Sequence, residues 1–91
     1  MTGNTGQGAS RRLGEMKRGE SGIILSIGGA GDDLSRRMME MGLLEGCRVE
    51  LVHEAPFGGD PVAVRVRGAL IALRRQDANR IEIEAEPRSK S

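Results

Sequence analysis

One histidine, His53, and one cysteine, Cys47, are the only side chains in this 91-residue sequence with a soft or borderline affinity for transition metals. They lie six positions apart on one predicted strand. Strand alternation puts both on the side of Val49 and Leu51, about 20 Å apart at roughly 3.3 Å per residue, so one ion cannot bridge them. Cys47 reads as a small buried apolar residue. His53 reads as a structural or surface histidine that can pair with Glu54 or Asp60. His53 and Glu54 are thus weak metal candidates, short of the three or four ligands of a built site. No cofactor is expected to be required.

Other stretches with chemical potential are equally spare. Gly28-Gly29-Ala30-Gly31 leads into Asp32-Asp33, as a phosphate loop leads into a helix, but the spacing fits neither nucleotide fingerprint. The two carboxylates would repel phosphate at a helix start. They read better as caps, and as a cation pair they lack further oxygen ligands. The sole histidine has no serine or cysteine in strand register, and no carboxylate pair has an acid–base context, so no enzymatic activity is expected. Glu82 and Glu84 share one solvated strand face. Phe57, the only aromatic residue, sits in a Pro/Gly loop. It reads either as a cap over an open barrel end or as an exposed anchor for another protein.

The elements that must position these residues are short. Gly22–Ile27 reads as a buried strand. Asp32–Gly42 carries full helix punctuation: an Asp cap, a Leu34/Met38/Met41 stripe, Gly42 at the C′ position and Leu43 folding back on the last turn. Met39 falls off that stripe and reads as exposed. Arg48–Glu54 and Val62–Arg67 alternate, with Val52 interrupting the polar face of the first. Ala55–Pro61 joins them as antiparallel neighbours. Gly68 turns the chain into Leu70–Leu73, Gln76–Asn79 reads as one helical turn, and Ile81–Glu84 closes with a strand. Five to six strands, one inserted helix at about 32–41 and no βαβ rhythm predict a mainly β fold. A small SH3-like antiparallel barrel is the first expectation and an oligonucleotide-binding-type barrel the second.

Leu, Ile, Val and Phe supply 20 residues, all between Leu13 and Ile83. Residues 13–85 are therefore the expected domain. Residues 1–12 and 86–91 are expected to be disordered tails, since they lack aliphatics to offset ordering entropy. The net charge is +1, but residues 13–85 hold 10 basic and 12 acidic side chains. With one aromatic, such a body suits neither strand-stacking nor groove-binding of nucleic acid. No run reaches the roughly 18–20 apolar residues of a membrane span, and no secretory leader is visible. One cysteine suits a reducing, cytoplasmic setting.

Three segments, in order, resemble a known family. Arg37-Met38-Met39-Glu40-Met41-Gly42-Leu43, followed by Gly46, resembles the RLxxLGLxxG segment of the FeoA family, ferrous iron transport protein A. Ala55–Val62 resembles its APLGDPI loop. Arg67–Arg75, with Ala78 and Ile81-Glu82-Ile83, resembles its closing RGxxLALRxxxAxxIxV. Leu13–Ile24 also resembles the family start. Three departures stand out: Glu45 replaces a proline before Gly46, Gly58-Gly59 lengthens the loop by one residue, and Phe57 replaces an aliphatic.

The resemblance implies an SH3-like barrel in the cytoplasm, a non-enzymatic accessory that docks on or modulates FeoB, the membrane GTPase carrying Fe²⁺. It also implies a fold shared with the C-terminal domain of iron-dependent repressors, and transition-metal binding. Weak binding of Fe²⁺ or another divalent metal is the most these residues offer. The expected partner surface is Met39, Leu43, Pro56 and Phe57, with Gly42, Gly46 and Gly68 structural. A free-standing metal-binding regulatory barrel is the alternative, and an RNA-binding small barrel is a third, opposed by the acidic body. Neither nucleic acid nor direct membrane insertion is expected.

Overall fold

The computed structural model describes residues 10–29 and 31–86. Six strands form one antiparallel sheet in the order β1-β6-β2-β3-β4-β5. These are β1 (Ser10–Arg12), β2 (Ser21–Ile27), β3 (Arg48–Glu54), β4 (Val62–Val66), β5 (Ala69–Leu73) and β6 (Ile81–Ala85). A 3₁₀ turn (Leu13–Glu15) follows β1, helix α1 (Asp33–Glu40) links β2 to β3, and the single turn α2 (Arg75–Ala78) links β5 to β6. The mainly β fold with one inserted helix is as the sequence implied.

Alternation builds the core. Val62, Val64 and Val66 of β4 and Val49 and Leu51 of β3 are buried, joined by Ile24, Ile81 and Ile83 from β2 and β6. Leu13, Met16 and Ala78 seal one end, and Met38 and Leu43 bring α1 onto it. At about 1.5–3 kcal/mol per buried large aliphatic, this cluster is the main source of stability.

Helix α1 starts and stops as its residues dictate. The Asp32 carboxylate accepts from the Ser35 amide at 2.9 Å, so Asp32, not Asp33, is the cap. At the far end Gly42 takes φ +104°. Its amide donates to Met39 O and that of Leu43 to Met38 O, both at 3.0 Å. This is a Schellman closure, with its expected apolar contact between the buried Met38 and Leu43. The stripe differs from expectation at its end. Met41 is 42% exposed, because it is the cap residue and no longer faces the sheet.

Several expectations fail for physical reasons. Strand β2 is not buried on both faces: Leu25 is exposed, beside a register shift against β6 between Ile24 and Ser26. Residues 10–12, expected in a tail, form β1. Ser10 and Arg12 stand opposite Glu84 and Glu82, and the Ser10 hydroxyl donates to the Glu82 carboxylate, so backbone pairing and a side-chain hydrogen bond hold a strand that needs no aliphatic. Glu86 belongs to the domain as well. Its amide donates to Ser21 O at 2.8 Å, and its carboxylate accepts from Ser21 Oγ at 2.7 Å and Arg48 Nε at 3.0 Å. The Ser21 hydroxyl, then Arg48, hold its carboxyl below the usual carboxylate range. The rest of the two expected tails, 1–9 and 87–91, lies outside the described residues.

Candidate partner-binding surface

The loop between β3 and β4 is built around one guanidinium. Arg75, the first residue of α2, donates from Nε to Gly59 O at 2.7 Å. Its Nη1 reaches Gly14 O at 2.9 Å and Met16 O at 2.8 Å. Its Nη2 reaches Glu54 Oε1 at 3.0 Å. The Arg75 amide completes the set by donating to Asp60 Oδ1 at 3.0 Å. Glu54 in turn accepts from the Arg18 amide through Oε2 at 2.7 Å. Three distant segments are thereby locked together, and the guanidinium's fork suits three carbonyls and a carboxylate at once. The loop also closes on itself, through Ala55 N–H to Pro61 O and Gly59 N–H to Ala55 O.

From this anchored frame Phe57 projects with 91% of its surface exposed. The capping alternative for Phe57 is thus excluded. Pro56 beside it is exposed. An aromatic ring in water on a fixed loop is costly to leave uncovered and well suited to a partner pocket.

The other expected contact residues fare differently. Met39 is 44% exposed, whereas Leu43 is fully buried and cannot meet a partner. The apolar match between Leu43 and Met38 that closes the helix takes its side chain inward. A separate groove, lined by Leu34, Arg37, Glu40 and Met41 of α1 and its end and by Ala72, Leu73, Arg74 and Asp77, runs between α1 and β5. Gly46 and Gly68 take φ of +89° and +84°.

The metal candidates do not fit a metal. His53 is exposed, not on the core side as alternation predicted. The β3–β4 register shifts between Leu51 and His53, so Val52 is the extra residue of a bulge that flips the strand's parity. Both Glu54 oxygens are engaged, by Arg75 and the Arg18 amide. Cys47 is free, half-buried and packed against the core. Among the described residues no group of three or more His, Cys, Asp or Glu side chains is placed to hold an ion.

The glycine-rich segment before α1 is likewise structural. Ser35, buried, donates from Oγ to Gly29 O at 2.9 Å. Asp32 Oδ2 meets Arg80 Nη1 at 2.5 Å. The Ser35 amide, then Arg80, hold the Asp32 carboxyl below its usual range.

Sequence reasoning missed Arg75, and with it the reason the loop is fixed. Its partners lie 15 to 61 positions away, and no local pattern marks it apart from Arg74.

A family model described as the FeoA domain matches residues 11–85. A Fe(2+) transport protein A/Fe(2+) transporter FeoB fusion protein of Porphyromonas gingivalis is 37% identical over 73 residues, 80% of this chain. The chain spans 8% of that relative's length. The FeoA of Stenotrophomonas maltophilia, solved in complex with zinc as a prokaryotic SH3 domain protein, is 31% identical. It superposes with a TM-score of 0.74, matched over 87% of this chain and 99% of its own. A manganese-dependent transcriptional repressor, 19% identical, shares the fold with a TM-score of 0.74 over 86% of this chain and 42% of its own.

Proposed function

The chain belongs to the FeoA family, with its SH3-like fold and its place in ferrous iron transport, and on that premise we propose that it is a cytoplasmic accessory protein without turnover of its own. It acts by binding a FeoB-type membrane GTPase and modulating Fe²⁺ transport. Fe²⁺ is then the transporter's cargo and not a resident of this barrel. No helix among the described residues is long and apolar enough to cross a membrane, so the proposed contact is made from the membrane's surface side.

One observation carries the reading of the surface. The only aromatic side chain is 91% exposed on a loop that Arg75 holds rigid. A preorganised anchor loses little entropy on docking, which concentrates binding energy in one ring. The P. gingivalis relative, in which both partners share a chain, supports the identity of the partner. Met39 and Pro56, both exposed, remain the further candidates.

The test is a binding titration of the purified chain against the solubilised FeoB-type transporter, in each nucleotide state. Phe57→Ala is expected to weaken binding at least tenfold while the melting temperature stays unchanged. Equal binding by that variant would move the contact elsewhere. The regulatory-barrel alternative rests on fold likeness to the repressor. Micromolar Fe²⁺ or Mn²⁺ binding lost in His53→Ala would revive it.

A further inference from the structure

Away from the Phe57 loop, the free edge of β5 lies beside a groove walled by α1. We propose that the cleft between them takes an extended, acid-flanked apolar segment of a partner protein by strand addition.

Strand β5 pairs with β4 alone and ends the sheet. Val66 and Ala69 flank a two-residue turn in which Arg67 and Gly68 both have positive φ, +53° and +84°. In such a hairpin the flanking pair is the hydrogen-bonded one, and pairs then alternate. Ala69, Ile71 and Leu73 therefore bond to β4, while the amides and carbonyls of Leu70 and Ala72 point away from it. Outside the β4 ladder, no hydrogen bond among the described residues reaches either. Two residues with unsatisfied groups two positions apart are what an added strand pairs with.

The edge also lacks the usual guards. Ala-Leu-Ile-Ala-Leu has no charge, proline or bulge, and Leu70 is 63% exposed. Sheet edges normally carry such guards to prevent pairing. Alongside the Leu73 end runs the groove of about 430 Å³ walled by Leu34 and Met41. It would receive an apolar side chain of the added strand.

Charge selects the occupant. Arg67 and Arg74 bracket β5 and Arg37 lies on the opposite wall. All three are exposed, and none enters an ion pair among the described residues. Glu40 and Asp77 share the groove's rim with Arg37 and Arg74, so the site's excess positive charge is that of Arg67 at the turn end of β5. Segment 87–91, Pro-Arg-Ser-Lys-Ser, has the wrong sign, and residues 1–9 carry neither acid nor large aliphatic beyond Met1. A second copy paired about Ile71 would bring two sets of arginines together, which like charges oppose.

The test uses the full chain and a nine-residue peptide of alternating valine and threonine with two aspartates at each end. In the free protein the amides of Leu70 and Ala72 should exchange with solvent much faster than those of Ile71 and Leu73. The peptide should slow both at least tenfold, and a version with lysines in place of aspartates should bind at least tenfold more weakly. Ala72→Pro deletes only an outward amide, so it should abolish protection while the fold persists. Leu70→Lys is the second variant, should the proline disturb folding, and should also weaken binding. Phe57→Ala should leave peptide binding unchanged. Slow exchange at Leu70 and Ala72 in the free chain, binding indifferent to both variants, no binding at millimolar peptide, or concentration-dependent dimerisation through β5 would each overturn the proposal.

Discussion

Two glycine-rich connections of similar composition are held in opposite ways. The segment 28–32, leading into α1, is tied mainly to its own neighbourhood. Asp32 N–H reaches Gly29 O at 3.0 Å, Ser35 Oγ reaches the same carbonyl, and Asp32 caps Ser35. The loop 55–61 is tied across the molecule, through Arg75, to residues near both ends of the chain. The first connection starts a helix. The second fixes an exposed aromatic, a task that local bonds would not fulfil, since a ring that must find its pocket has to be oriented against the whole barrel.

The largest expected effect breaks the second connection. Arg75→Ala leaves the Gly14, Met16 and Gly59 carbonyls without their donor and Glu54 without its cation. Arg75 and Glu54 side chains are 23% and 31% exposed, so screening is partial. A loss of about 3 kcal/mol is expected from urea unfolding, in line with stranding partly buried acceptors. Binding to the transporter should fall with it at temperatures where the variant remains folded, because Phe57 is no longer oriented. A variant as stable as the parent would mean that the loop is fixed by its own turns alone.

Gly42→Val comes next. It challenges the helix that the first connection starts, at the end the connection does not reach. A β-branched residue at φ +104° costs about 2 kcal/mol and opens the bonds to Met38 and Met39. A thermal melt unaltered by this change would show that α1 closes without its left-handed residue.

This contrast also explains how much was legible from residues alone. The cap at Asp32, the stop at Gly42 and the inward valines of β4 depend on neighbours within a turn or on strict alternation. Sequence carries both. The bulge at Val52 breaks alternation without changing composition, and so strict alternation places His53 on the wrong side of β3. Strand β1 is not legible in the sequence because burial is not the sole source of order. Its partners on β6 lie 70 to 74 positions away. Leu43 folds onto the helix and is buried, so it cannot also serve on the surface, two roles one side chain cannot fill. Arg75 was invisible for the same reason as β1: its partners come together only once the barrel is closed.

Acid should distinguish the connections further. Asp32 and Glu86 have folded-state pKa values lowered by hydrogen bonds from Ser35 and Ser21 and by Arg80 and Arg48. A lowered folded value gives stability that is complete above the unfolded pKa of about 4 and disappears as pH falls through the folded value. The urea midpoint should therefore fall as the pH drops below the unfolded carboxylate pKa of about 4. Asn caps as well as Asp, so an Asp32→Asn, Glu86→Gln variant should keep its fold and show a flatter acid limb. An identical limb in the variant would assign the acid response to other carboxylates.

The smallest effect is expected at the side-chain tie between the first connection and Arg80. Arg80 and Asp32 meet at 2.5 Å, but their side chains are 34% and 45% exposed. Water and salt compete for both, and exposed pairs contribute about 0–1 kcal/mol. Arg80→Ala also leaves the Arg80 carbonyl, which accepts from Gly28 N–H at 2.8 Å, in place. It should therefore leave the urea midpoint almost unchanged, and any small difference should vanish in molar salt. The two arginine variants then form a matched pair. Each removes a guanidinium bound to a carboxylate at 3.0 Å or less, and they differ in what else the guanidinium touches. If Arg80→Ala proved as damaging as Arg75→Ala, the ion pair itself would be the source of both losses. The three carbonyls bound by Arg75 would then contribute nothing to fixing Phe57.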